Sequence, residues 1–202
     1  AISANGIMTS SDGITWSFHF SIPNGGWQSV TYGNGLFVAV GTKLSSTNHV
    51  MTSPDGINWT AQTAPTMDLF AVTYGNGKFV AMGSPHGLTL PYVMTSVDGE
   101  TWSATTNGTV LSRWRSVIYA NGKFVAVADN SNQVMTSLDG EAWSVTSNGV
   151  PRSNWQSVTY GNGLFVAVGF NNNVSNDDNQ VMTSSDGITW TARAVPGVVN
   201  RW

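Results

Sequence analysis

Eleven carboxylates, eight lysines and arginines and three histidines carry all the ordinary acid–base chemistry of this chain. Five of the carboxylates, Asp12, Asp55, Asp98, Asp139 and Asp186, stand directly before a glycine in one recurring phrase. A short acidic side chain beside glycine bonds to its own turn backbone, so these five are expected to build turns and not to react. The others are few. Glu100 and Glu141 each follow a turn glycine, and Asp68, Asp129, Asp177 and Asp178 lie outside the phrase. A glycosidase needs two carboxylates flanking one bond and a serine hydrolase needs an oriented Ser-His-Asp set; neither pattern has support here. His19, His49 and His86 share no spacing suited to a metal. Arg113, Arg115, Arg152, Arg193 and Arg201 fall in or beside similar loops, but no glutamate is placed to join them. The run Asn171–Gln180 is rich in the oxygens that calcium favours, yet lacks the ligand order of a calcium loop and is expected to be a solvated polar loop. The chain is therefore expected not to be an enzyme and to need no metal or cofactor.

The elements that hold these residues follow from repetition. Met-Thr-Ser-x-Asp-Gly-x-x-Trp occurs at Met8–Trp16, Met51–Trp59, Met94–Trp102, Met135–Trp143 and Met182–Trp190. A second phrase close to Ser-Val-Thr-Tyr-Gly-Asn-Gly-x-Phe-Val-Ala-Val occurs at Ser29–Val40, Ala71–Met82, Ser116–Val127 and Ser157–Val168. The motif aspartates lie 41 to 47 residues apart, a period of propeller blades or of helical repeats. Short β-rich runs bounded by Gly, Asn and Asp decide for strands. One unit reads as strand A at Trp155–Tyr160, strand B at Leu164–Val168, strand C at Gln180–Thr183 and strand D at Ile188–Ala192. Asn-Gly and Asp-Gly supply the positive φ that the A–B and C–D hairpins require. Repeated four-stranded antiparallel units of this length predict an all-β propeller.

The Ser-x-Asp-Gly-x-x-Trp element resembles the Asp-box of sialidase-like and many other secreted or viral propellers, although it lacks the residue between Asp and Gly. The paired Tyr-Gly-Asn-Gly-x-Phe-Val-Ala-Val phrase is similar to repeats of bacterial surface proteins and phage tail proteins. The resemblance implies a structural aspartate, a tryptophan packed between strands, and a place outside the cell or on a virion.

Four units are expected to be complete, at about 27–62, 70–105, 114–147 and 155–193, with strand A starting at Trp27, Phe70, Trp114 and Trp155. A fifth blade would be split between residues 1–20 and 195–202. Ala1–Asn5 would serve as a degenerate strand B, and Trp202 would open a strand A. This split blade is short by about one hairpin, so self-association through it is one reading. The opening Ala1-Ile2-Ser3-Ala4, without Met, suggests a removed leader or a longer protein.

Composition narrows the partners. Net charge is −3, which speaks against a phosphate-tracking surface and hence against nucleic acid. No apolar run approaches the roughly 20 residues of a membrane-spanning helix, and cysteine is absent, which excludes a disulfide scaffold. The A–B and C–D turns are nearly uniform, whereas the B–C and D–A loops differ. One end is thus a scaffold and the other is diversified, the usual place for recognition. His86, Tyr92, Asn171, Asn172, Asp177 and Asp178, on those loops, are the ligand-binding candidates. A non-enzymatic module binding a carbohydrate, or another surface ligand such as a protein, is expected. The alternatives are an assembly protein that polymerises through its incomplete blade, and a sialidase-like hydrolase.

Overall fold

A computed structural model describes residues 2–3, 6–20, 22–23, 25–42, 49–84, 93–105, 112–170 and 180–194. These residues form five antiparallel sheets and no helix. The first sheet has three strands, β1 (Ile2–Ser3), β2 (Gly6–Thr9) and β3 (Ser17–His19). The second is β4 (Gly26–Gly33), β5 (Leu36–Thr42), β6 (Val50–Ser53) and β7 (Thr60–Gln62). The third is β8 (Asp68–Gly75), β9 (Lys78–Ser84), β10 (Val93–Ser96) and β11 (Ser103–Thr105). The fourth is β12 (Arg113–Ala120), β13 (Lys123–Asp129), β14 (Val134–Ser137) and β15 (Ser144–Thr146). The fifth is β16 (Asn154–Gly161), β17 (Leu164–Phe170), β18 (Val181–Ser184) and β19 (Thr191–Arg193). Each complete sheet meanders A-B-C-D, the blade arrangement of a β-propeller. Four blades are complete and one is partial. Residues 195–202, assigned above to the partial blade, lie outside the described residues.

The hairpins obey their turn residues. Asn34, Asn76, Asn121 and Asn162 take φ of 47° to 50°, and the glycine after each takes 73° to 80°. Positive φ at both central positions is the turn whose twist matches paired strands. In the expected strand D, Ile188 instead belongs to the preceding turn, where its N–H bonds Asp186, and pairing begins at Thr191.

Strand B is apolar along its length because both its faces are covered. In β9, Val80 and Met82 pack toward the fourth sheet, with Trp114, Phe124 and Trp143. Phe79 and Ala81 pack toward the second sheet, with Val38 and Val40. The period-2 alternation thus puts a Val-rich face of each sheet against a Phe-Ala-Met-Trp face of the next. The pattern repeats between the fourth and fifth sheets, where Val125 and Val127 meet Phe165, Ala167, Met182 and Trp190. Fully burying one such side chain contributes about 1.5–3 kcal/mol.

Strand A of the third sheet, β8, departs from the expected alignment. Leu69, not Phe70, pairs with Gly83, in the place where Trp27 pairs with Gly41 and Trp155 with Gly169. All four inner strands carry a bulge at the next residue, between Trp27 and Ser29, Leu69 and Ala71, Trp114 and Ser116, and Trp155 and Ser157. A bulge sets two residues against one on the partner strand and re-aims a side chain. Phe70 therefore stands in the bulge, while Leu69 is buried in the slot used elsewhere by tryptophan.

Candidate functional site

The turn aspartates all have one geometry. In the fifth sheet the Ser184 hydroxyl donates to Asp186 Oδ1 at 2.8 Å and accepts the Gly187 N–H at 2.8 Å. The same Oδ1 accepts the N–H groups of Ile188 and Thr189, both at 2.8 Å. Asp12, Asp55, Asp98 and Asp139 repeat these bonds with their own neighbours. Trp59, Trp102, Trp143 and Trp190 each donate the indole N–H to the carbonyl of the turn glycine. In each turn Oδ1 is occupied by the turn's own hydroxyl and N–H groups, and in Asp55 the Asn58 amide also reaches Oδ2.

Those bonds hold the carboxyls well below the usual carboxylate range. Asp186 is lowered to about 2, by the Thr189 N–H first and the Ile188 N–H next. Asp98 is lowered to about 2 by the Thr101 and Glu100 N–H groups, and Asp12 to about 2 by those of Thr15 and Ile14. Asp55 and Asp139 are shifted the same way, first by the N–H groups of Asn58 and Ala142. A carboxyl with a depressed folded value takes up its proton in the unfolded chain first, near pH 3.9. The stability these turns supply is complete above about pH 4 and is lost as pH falls toward about 2. Thermal unfolding followed from pH 5 down to 2 should show a steep loss in that window. A flat profile would contradict the assignment. Separately, Asp186→Ala should cost about 1 kcal/mol, the worth of a capping-type bond, and lower Tm by about 2–4 °C.

The antiparallel meander puts the A–B and C–D turns at one end and the B–C and D–A loops at the other. Of the loop candidates, His86, Tyr92, Asn171, Asn172, Asp177 and Asp178 lie outside the described residues. The described part of that end holds a different cluster, built on the bulges. The bulged residues are Gln28, Phe70, Arg115 and Gln156, in strands that are otherwise nearly copies of one another. Arg115 reaches from the fourth sheet to the third. Its guanidinium carbon lies 4.5 Å from the Phe70 ring centre, and one of its terminal nitrogens is 3.0 Å from Asp129 Oδ2. The Arg115 Nε is buried and makes no hydrogen bond. Arg113 lies 5.8 Å from the same ring and 3.8 Å from the same carboxylate, with its side chain mostly exposed. Beside them, Arg152 Nε donates to Asn130 Oδ1 at 3.2 Å, and Asn154 Oδ1 accepts the Asn130 N–H at 3.1 Å. A guanidinium stacked on a ring and bonded through one nitrogen to a carboxylate is held near one orientation. Arg113 leaves most of its guanidinium open to solvent.

The arginines were visible in the sequence, but their partners were not. The signal was a column of the repeat: Gln, Phe, Arg, Gln at one position of an otherwise constant strand. Of the strand-A tryptophans, Trp114 and Trp155 are fully buried and Trp27 nearly so, which gives them to packing between sheets and not to stacking on a ligand. His49 is buried at the same end, with Nε2 beside the carbonyls of Ala64 and Pro65 at 3.3 and 2.9 Å. His19 bonds the Thr9 hydroxyl at 2.9 Å. Both glutamates are in C–D turns at the uniform end, and Glu141 pairs with Lys78 there. Among the described residues no three His, Asp or Glu side chains gather as a metal site.

No family model and no curated protein sequence matches the chain. Solved structures do. A streptogramin B lyase superposes with a TM-score of 0.74 at 11% identity, covering 96% of this chain and 63% of that one. The virginiamycin B lyase of Staphylococcus aureus gives 0.73 at 13% identity, covering 96% and 64%. YCF48 bound to D1 peptide gives 0.57 at 18% identity, covering 91% and 59%. The chain spans about three fifths of the length of these proteins. At such identities the likeness is one of fold, and the fold it shares with them is the repeat β-propeller.

Proposed function

We propose that this protein is a non-enzymatic recognition module, displayed on a cell surface or a virion, that binds a glycan through its loop-bearing end. The supporting observation is the bulge column. Four inner strands are nearly identical except where they reach the loop end, and there they differ in amide, aromatic and guanidinium groups. Variation confined to one end of a uniform scaffold is the pattern of a binding surface. Planar amides and guanidinium groups hydrogen-bond hydroxyls in a fixed direction, and a few such groups set ligand orientation. The sialidase-like reading has less behind it, because both glutamates sit at the end away from the arginines.

A glycan array tests the reading, with Arg113→Ala and Gln156→Ala as variants. Wild type should bind a defined set of glycans. Each variant should lose most of that signal with Tm unchanged. A peptide ligand at the same end is the second reading, favoured by the YCF48 structure with its bound D1 peptide. Peptide-library binding that Arg113→Ala abolishes, with an empty glycan array, would replace the glycan. Turnover of a fluorogenic sialoside would overturn the non-enzymatic assignment.

A further inference from the structure

The charges of this chain are sorted by end. Arg113, Arg115, Arg152 and Arg193 all stand at the loop-bearing end, where Asp68 and Asp129 are the described carboxylates. The uniform end carries the five turn aspartates with Glu100 and Glu141, against only Lys78 and Lys123 at the starts of β9 and β13. The net charge of −3 is thus an excess of acid at one end and of base at the other. The charged residues outside the described ones, Lys43, Asp177, Asp178 and Arg201, cancel in number. Counting Lys43, Asp177 and Asp178 with the loop-bearing end, whose strands they connect, still leaves cations in excess there.

Within that end the arginines outnumber their carboxylate partners. Asp129 Oδ2 serves both Arg115, at 3.0 Å, and Arg113, at 3.8 Å. Arg152 bonds the neutral side chain of the next residue, Asn130, at 3.2 Å, and Arg193 bonds the Thr183 hydroxyl at 2.8 Å. Arg152 is exposed, and the Arg113 side chain is 59% exposed. The segments before β10 and β12, residues 85–92 and 106–111, contain no Asp or Glu. A guanidinium left with water and neutral oxygens gains most from an anion that accepts two parallel N–H bonds. Opposite charge at the two ends also makes the molecule a dipole, so a negative surface attracts the loops and repels the turns.

We propose that the glycan of the loop-bearing end is anionic, a saccharide bearing carboxylate, sulfate or phosphate groups, held by Arg113 and Arg152. Arg115, stacked on Phe70, occupies Asp129 at the shorter distance and leaves Arg113 to the ligand. The inference rests on the glycan reading above and adds the charge of the ligand.

The probes are three matched pairs immobilised on a sensor: polygalacturonate and its methyl ester, dextran sulfate and dextran, phosphomannan and mannan. The responding pair identifies the anionic group. The charged member of that pair should bind much more tightly than the neutral one, and binding should weaken as salt rises. Arg113→Gln and Arg152→Gln should each weaken it about tenfold, the order expected for losing one charged hydrogen-bond partner, with Tm unchanged. Glu100→Gln changes the net charge in the opposite sense at the far end. It should leave affinity as it is, because screening at physiological salt acts over about 8 Å. A gain from Glu100→Gln as large as the loss from Arg113→Gln overturns the proposal, since net charge and not the site would then hold the ligand. Equal retention of a single-stranded DNA oligonucleotide overturns it for the same reason. Neutral glycans that bind as tightly as their charged counterparts, on the sensor or on the array, overturn the charge assignment and leave the glycan reading standing. No binding to any of them removes both.

Discussion

Trp155→Ala is expected to destabilise the protein by about 3–5 kcal/mol, the range for removing a fully buried tryptophan from a core. For a domain of this size that lowers Tm by roughly 6–20 °C. Trp155 is 0% exposed and packs among Val127, Val158 and Met182, with its indole N–H donating to the Pro151 carbonyl at 3.2 Å. Alanine leaves a cavity at the seam of the fourth and fifth sheets and an unpartnered carbonyl in the loop that feeds strand A. Leucine at the same place should cost visibly less, because Leu69 fills the equivalent slot in the third sheet. Denaturant unfolding of the two variants measures the difference. A loss for Trp155→Ala within about 0.5 kcal/mol, the usual range of a surface change, would mean that this residue is not part of the inter-sheet core.

Gly75→Ala and Gly161→Ala should behave oppositely, although the two glycines occupy the same position in their repeats. A Cβ on Gly75 would fall on the Tyr119 ring of the next sheet, near its attachment to the backbone, where the ring cannot swing aside. The two sheets must then separate, and such overpacking costs about 1–3 kcal/mol. A Cβ on Gly161 meets nothing within 4 Å. Neither glycine has positive φ, so backbone strain does not enter. Gly161→Ala should therefore stay within about 0.5 kcal/mol of wild type, as surface changes do. Equal losses at both positions would mean that the fifth sheet has a neighbour of the usual kind on its outer face. That face also carries Val168 at 37% exposure, whereas its counterparts Val40, Met82 and Val127 are fully buried inside the stack.

Most of the architecture was legible in the amino-acid order because it is local. Asn34-Gly35 and its three copies can form little but a tight hairpin, since both residues must take positive φ. Asp186 and its four copies bond to N–H groups two and three residues away, so the turn needs no distant partner. Alternation in Phe79-Val80-Ala81-Met82 assigns each side chain to a face whatever lies beyond it. What the sequence could not determine is whatever depends on the neighbouring sheet. The bulge shifts register by one residue and exchanges Leu69 with Phe70 between the buried slot and the loop end, a choice made by how well each fills the space left by its neighbours. Arg113, Arg115 and Asp129 are near one another in the fourth sheet, but Phe70 comes from the third, and only stacking of sheets brings the ring beneath the two guanidinium groups. Identical repeats also read alike in sequence while differing in the fold. Tyr32 and Tyr119 occupy the same place in the same phrase, and one is exposed while the other lies on a glycine, because burial is settled by the surface across the interface and not by the residue itself.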